Sequence, residues 1–317
     1  MKTCRFRFVF FAVSGLILFL NQALVSFAAD MKPDDVVAKH LESVGTDQAR
    51  AAAKSRVMEG TADYRPLVGG AGNLEGKTVI VSQDDKLQFM IKLNNNLYRG
   101  EQFIYDGSNY QVTRTTAGQT RSFFGEFVQV QDVVLREGLL GGALSTAWPL
   151  YDLKDRKAKL SYAGMKKVDG VDAIELRYSP KKSTSVDISL FFDAQTFRHI
   201  ETVYTVRVQA RLGEVDPQLA NAQSTGVDIG PTPPSTGGVV GVTNETATAR
   251  QQETRYRLEE HFSDFKAADG LTLPNKYVIH FSQELGNGRT TVAEWTLIAN
   301  QIMNGNGVDP HNFQLNK

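Results

Sequence analysis

The stretch His199-Ile200-Glu201-Thr202-Val203-Tyr204-Thr205-Val206-Arg207-Val208-Gln209-Ala210 sets Ile200, Thr202, Tyr204, Val206, Val208 and Ala210 on one parity. His199, Glu201, Thr205, Arg207 and Gln209 fall on the other. A period of two is that of a strand with one face on apolar material and the other on water. The same period recurs outward in both directions: Leu87, Phe89, Ile91 and Leu93; Val186, Ile188, Leu190 and Phe192; Tyr256, Leu258 and Phe262 against Arg257, Glu259 and His261. Asp84-Asp85, Asp106-Gly107, Asp169-Gly170 and Asp269-Gly270 sit between such runs as hairpin turns. From Lys54 to Met303 the spacing gives about a dozen strands. Strands do not alternate with helices, which excludes a doubly wound parallel sheet. The fold class is mainly β, a long antiparallel sheet of barrel or sandwich type.

Helical patterns flank and interrupt the sheet. Pro33-Asp34-Asp35 opens a helix with Val36, Val37, His40, Leu41 and Val44 on one face and Gly45 as its stop. Thr46 caps a second, short helix through Lys54. Phe123, Phe127, Val130 and Val134 predict a helix inserted mid-sheet. It runs into Gly138–Tyr151, an apolar plug without one charge, so that 123–151 forms a single helix-and-plug unit. Residues 213–249 hold Pro217, Pro231, Pro233 and Pro234 among Gly, Ser and Thr, with no aromatic residue, and read as a flexible insertion loop between two strands.

Lys2, Arg5 and Arg7 precede a charge-free run from Phe8 to Leu20 and a small-residue end at Ser26-Phe27-Ala28-Ala29, the layout of a secretory signal peptide over 1–28. Residues 29–317 are then expected as one domain in the periplasm, with secretion as the alternative. The single cysteine, Cys4, precedes the apolar run, so the mature chain is expected to have no lipid anchor, disulfide or stable membrane anchor. The whole chain balances 35 basic against 35 acidic side chains, which gives no electrostatic case for nucleic acid.

Motifs of catalysis are missing: no Gly-x-Ser-x-Gly, no His-Glu-x-x-His and no phosphate loop. No catalytic residue, cofactor or metal is therefore assigned, and an enzyme is not expected. His199 and His261, beside Glu201, Glu259 and Glu260, are read as a solvated polar face with cross-strand ion pairs, although His and carboxylate together suit zinc.

Phe89, Phe103, Phe123, Phe127, Trp148, Phe192, Phe262, Phe281 and Trp295 all fall on expected inner faces or in the plug. One curved sheet cannot cover its own concave face, so helix and plug must fill it, and a plug that moves would leave an apolar pocket. The expected contacts of an acyl chain are Phe89, Phe103, Phe123, Phe127, Leu139, Leu140, Leu144 and Trp148, with Gly138, Gly141 and Gly142 as hinges of the gate.

Val57-Met58-Glu59-Gly60, Tyr105-Asp106-Gly107, Val168-Asp169-Gly170-Val171, Phe192-Asp193-Ala194-Gln195-Thr196-Phe197 and Asp269-Gly270-Leu271-Thr272-Leu273-Pro274 resemble the outer-membrane lipoprotein-sorting (Lol carrier-like) family. That resemblance implies a curved, half-closed antiparallel β-barrel lidded by helices, with a hydrophobic cavity for lipoprotein acyl groups or related lipids. The function expected is carriage or sensing of acylated cargo, with an envelope protein as a further partner. The rivals are a periplasmic interaction or scaffold module with a fully packed core, and an envelope hydrolase without a legible motif.

Overall fold

The computed structural model describes residues 31–70, 72–115, 121–209 and 253–315; the expected signal peptide (1–28) and insertion loop (213–249) lie outside the described residues. The alternating stretches become β1 (Ser55–Val68), β2 (Leu74–Gln83), β3 (Lys86–Leu93), β4 (Glu101–Tyr105), β5 (Tyr110–Arg114), β6 (Lys159–Val168), β7 (Val171–Ser179), β8 (Asp187–Asp193), β9 (His199–Gln209), β10 (Glu253–Ala268), β11 (Leu271–Glu284) and β12 (Thr290–Asn304). They form one antiparallel 12-stranded sheet in the order β5-β4-β3-β2-β1-β12-β11-β10-β9-β8-β7-β6. Strands consecutive in sequence pair, except β5 and β6, which form the two edges of the open sheet, and β1 pairs with β12. This is a curved, half-open barrel. The turns follow their chemistry: Asp169-Gly170 (φ 48° and 83°) and Asp269-Gly270 (φ 51° and 79°) take left-handed conformations at both central positions, the mirror-image turn that suits the twist of a hairpin.

Helix α1 (Pro33–Val44) begins at its proline and buries Val36, Val37, His40 and Val44. In α2 (Asp47–Ala52) the Thr46 hydroxyl accepts the Ala49 N–H at 3.2 Å; the helix ends two residues before the expected Lys54. The inserted helix differs more. It breaks into α3 (Phe123–Val130) and α4 (Val133–Arg136), because Gln131 leaves helical geometry at ψ 67°. Phe124, Phe127 and Val128 face inward, and Phe123, expected inside, is 41% exposed. After the break Val133, Val134 and Leu135 resume the buried face. The whole insertion lies in sequence at the open seam, between β5 and β6.

A second correction concerns His199. The β8–β9 ladder is irregular, pairing Phe191 with Glu201 but Phe192 with His199, so Ile200 is the extra residue of a bulge. His199 therefore turns inward and is buried, while Glu201 stays on the outer face. Simple alternation had put both outside.

Candidate functional site

The inner face carries a continuous run of rings. Phe89 stacks on Phe103 at 5.5 Å, Phe103 meets Phe124 at 4.9 Å, and Phe124 meets Trp295 at 5.3 Å. On the other side, Phe89 approaches Tyr277 at 6.1 Å, and Tyr277, Phe262, His199 and Trp148 follow at 5.0, 4.8 and 4.6 Å. The plug sits on this floor. Leu139, Leu140, Leu144 and Trp148 are all buried and belong to one apolar cluster with Phe89, Phe103 and Phe127. Of the expected acyl-chain contacts, all but Phe123 are thus brought together in this one buried cluster.

Polar tethers fix the plug at both ends. At its entrance, the buried Glu101 carboxylate accepts from the Ser122 N–H (2.6 Å), the Ser122 hydroxyl (2.7 Å) and the Tyr98 hydroxyl (3.2 Å). That places a carboxylate at the start of α3, where a Cβ on Gly125 would lie 2.2 Å from Glu101 Oε1. In the middle, Glu260 of β10 accepts from the Gly141 N–H (2.7 Å) and from the hydroxyls of Tyr204 and Tyr277. Burial pushes the carboxyls of Glu101 and Glu260 up to about 7, against the donors that favour their charged forms. Arg56, buried on β1, donates to the Ala143 carbonyl, and the Thr146 N–H donates to Ser82 Oγ at 2.9 Å. Arg156 donates to the carbonyls of Glu137 (3.1 Å) and Ala147 (3.0 Å), and the Tyr178 hydroxyl donates to Glu137 Oε2 at 2.6 Å.

The last tether fixes a tautomer. Trp148 Nε1–H donates to His40 Nε2 at 3.1 Å, so Nε2 is bare and the proton sits on Nδ1, which donates to the Phe197 carbonyl at 3.1 Å. Burial lowers the His40 pKa to about 4 and that of His199 well below its ordinary value.

The glycines expected as hinges occupy left-handed positions, with φ 67° at Gly138, 81° at Gly141 and 50° at Gly142. Two of them are also places without room. A Cβ at Gly138 would lie 2.0 Å from the Ala147 carbonyl oxygen, and one at Gly142 would lie 2.9 Å from His199 Nδ1. At Gly138 and Gly142 both the left-handed backbone and the close approach select glycine. Alternation carried a signal for the tethers: Glu260 shares parity with Leu258 and Phe262, and Arg56 shares parity with Met58.

On the opposite, outer face lies an open groove of about 520 Å³ that begins at β6 and reaches across to β10. Lys166, Lys167, Arg177 and Arg257 line it together with Asp169, Glu175, Glu201 and Glu259. Its apolar lining is Val168, Phe191 and Val203, which cluster with the buried Ala173. Among the described residues, no helix is long and apolar enough to cross a membrane.

No family model and no curated protein matches the chain. Similar solved structures include the Pseudomonas aeruginosa MucA/MucB complex, at 12% identity and TM-score 0.22, covering 86% of this chain and 100% of that one. MucB alone is similar at 11% identity and TM-score 0.23, covering 84% and 98%. TM-scores this low leave function to be argued from the geometry.

Proposed function

We propose that this chain is an exported, non-enzymatic binding module of the cell envelope that engages a protein segment from outside its barrel. The observation that carries this reading is the filled inner face: the plug occupies it and is tethered there by Glu260, Arg56, His40 and Arg156. Binding then falls to outward surfaces. β6 pairs with β7 alone and ends the sheet, and an edge strand is a template for an extended chain. The other edge is capped by α3, since Gln129 Oε1 accepts the Val112 N–H at 3.3 Å and the Gln129 carbonyl accepts the Tyr110 hydroxyl at 3.1 Å. The mixed charges of the groove beside β6 suit a polypeptide better than an acyl chain. The export step rests on the 1–28 signal. A photo-crosslinking residue at Ser161 or Lys166 of β6 should capture one envelope protein, and the same residue at Lys92 of β3 should not. Capture at neither position, or equally at both, overturns the reading.

Carriage of an acylated cargo, lipoprotein or free lipid, is the second reading. It is supported by the charge-free plug lying on an aromatic floor. An acyl chain of about 16 carbons in its place would return around 12 kcal/mol gross. Native mass spectrometry of protein taken from its own envelope separates the two, because a carrier retains lipid and the module runs at its apo mass.

A further inference from the structure

Glu201 of β9 and Glu259 and His261 of β10 each present one ligating atom within 4.8 Å of the others. The sheet builds this arrangement: Glu201 stands directly opposite His261 in the β9–β10 ladder, and Glu259 lies two residues along on the same outer face. A second observation points the same way. The Glu201 side chain is only 7% exposed, yet among the described residues neither of its carboxylate oxygens accepts a hydrogen bond. Its approach to His261 Nε2, at 3.7 Å, is beyond that distance. The carboxylates of Glu259, Asp169 and Glu175 crowd it, and the guanidinium of Arg257, itself bonded to Glu259, offsets them without donating to Glu201. A buried carboxylate without donors is costly unless a cation answers it.

His261 is also oriented for this. Its Nδ1 faces Asp169 Oδ2 at 3.5 Å while Nε2 faces Glu201. A proton on Nδ1, directed at Asp169, leaves the Nε2 lone pair for a metal, the carboxylate–histidine–metal arrangement. Arg257 bonds Glu259 Oε1 at 2.6 Å, which leaves the other oxygen of Glu259 for ligation.

We propose that Glu201, Glu259 and His261 form a site for a divalent transition-metal ion, zinc above all. Two carboxylates and one imidazole match its ligand preferences, and bond lengths of about 2.0–2.2 Å set neighbouring ligand atoms about 3.3 Å apart, a modest contraction of the observed cluster. Three protein ligands leave a fourth position open to the groove, for water or for a side chain of a bound partner.

The test is calorimetric titration of the tag-free mature protein with zinc sulfate, alongside cobalt(II) absorption spectra and thermal melts. One zinc per chain is expected, with tetrahedral-type cobalt bands and a raised Tm. His261→Gln and Glu201→Gln should each weaken binding by about 10–100-fold. Glu201→Gln relieves a crowded charge and should fold at least as well as its parent, so its loss of binding is not a folding defect. No zinc binding by the unmutated protein, or binding unchanged in both variants, overturns the site.

Discussion

Glu260 shows how one side chain holds an element in place and makes that hold depend on pH. Its ordinary value of 4.5 is raised by burial to about 7, so the folded protein keeps a proton that the unfolded chain releases between those values. The associated stability is fully present below pH 4.5 and is lost as pH rises through 7, amounting to about 3 kcal/mol for this group. Glu260→Gln keeps the shape and removes the titration. Between pH 5 and pH 8 its unfolding free energy should fall by about 3 kcal/mol less than the parent's, and identical pH profiles in denaturant melts would contradict this. The glycines divide in the same residue-level way. Gly142→Ala meets His199 and Phe262 at 2.9 and 3.0 Å and should cost about 2–3 kcal/mol. Gly141→Ala meets only Ile80 Cδ1, at 3.8 Å, and should cost about 1 kcal/mol, from its left-handed φ alone. Equal Tm losses in the two would show that packing is not what selects glycine here. Glu260 was read with the solvated polar face beside His261, and the structure buries it; its parity with Leu258 and Phe262 was the signal that pointed inward. The inward turn of His199 had no such signal, because a bulge is set by its partner strand and leaves no trace in the spacing of β9 itself.

At the scale of elements, the plug is core. Leu140→Asp or Leu144→Asp would put an unpaired carboxylate among Phe89, Trp148 and their neighbours. Either should lower global stability by more than about 4 kcal/mol, read as a Tm drop of the whole sheet. A plug that swung out freely would instead leave the sheet melting nearly as before. The charge-free run Gly138–Tyr151 was enough to mark the segment as one that must cover apolar surface. Whether it covers that surface rigidly depends on partners far away in sequence: Arg56, Ser82, His40 and Glu260. None of these contacts has a local signature. The break between α3 and α4 escaped for a related reason, since Phe123, Phe127, Val130 and Val134 fit one continuous helical stripe. Packing against β5 and against the rings of Phe103 and Trp295 prefers the phase set by Phe124.

Over the whole molecule, the sheet is a curved, half-open barrel whose two edge strands, β5 and β6, flank the insertion in sequence, so edges and plug are a single architectural decision. Period-two alternation and the Asp-Gly turns made the strands and hairpins legible, while the central β1–β12 pairing joins the two ends of the pattern and had no signal of its own. β9 and β10 already pair at Gln209 and Glu253, the residues flanking 210–252. Replacing 213–249 by a short Gly/Ser turn should therefore change stability by about 1 kcal/mol or less, and loss of a cooperative melt would contradict that. The central claim is that the concave face is filled by a plug locked to the sheet, and native-state hydrogen exchange tests it most directly. Amides such as Gly141, Leu144 and Trp148 should exchange only with the global opening that also releases β10 and β11. Rapid exchange through the plug while β10 and β11 stay protected would make it a gate and contradict the account.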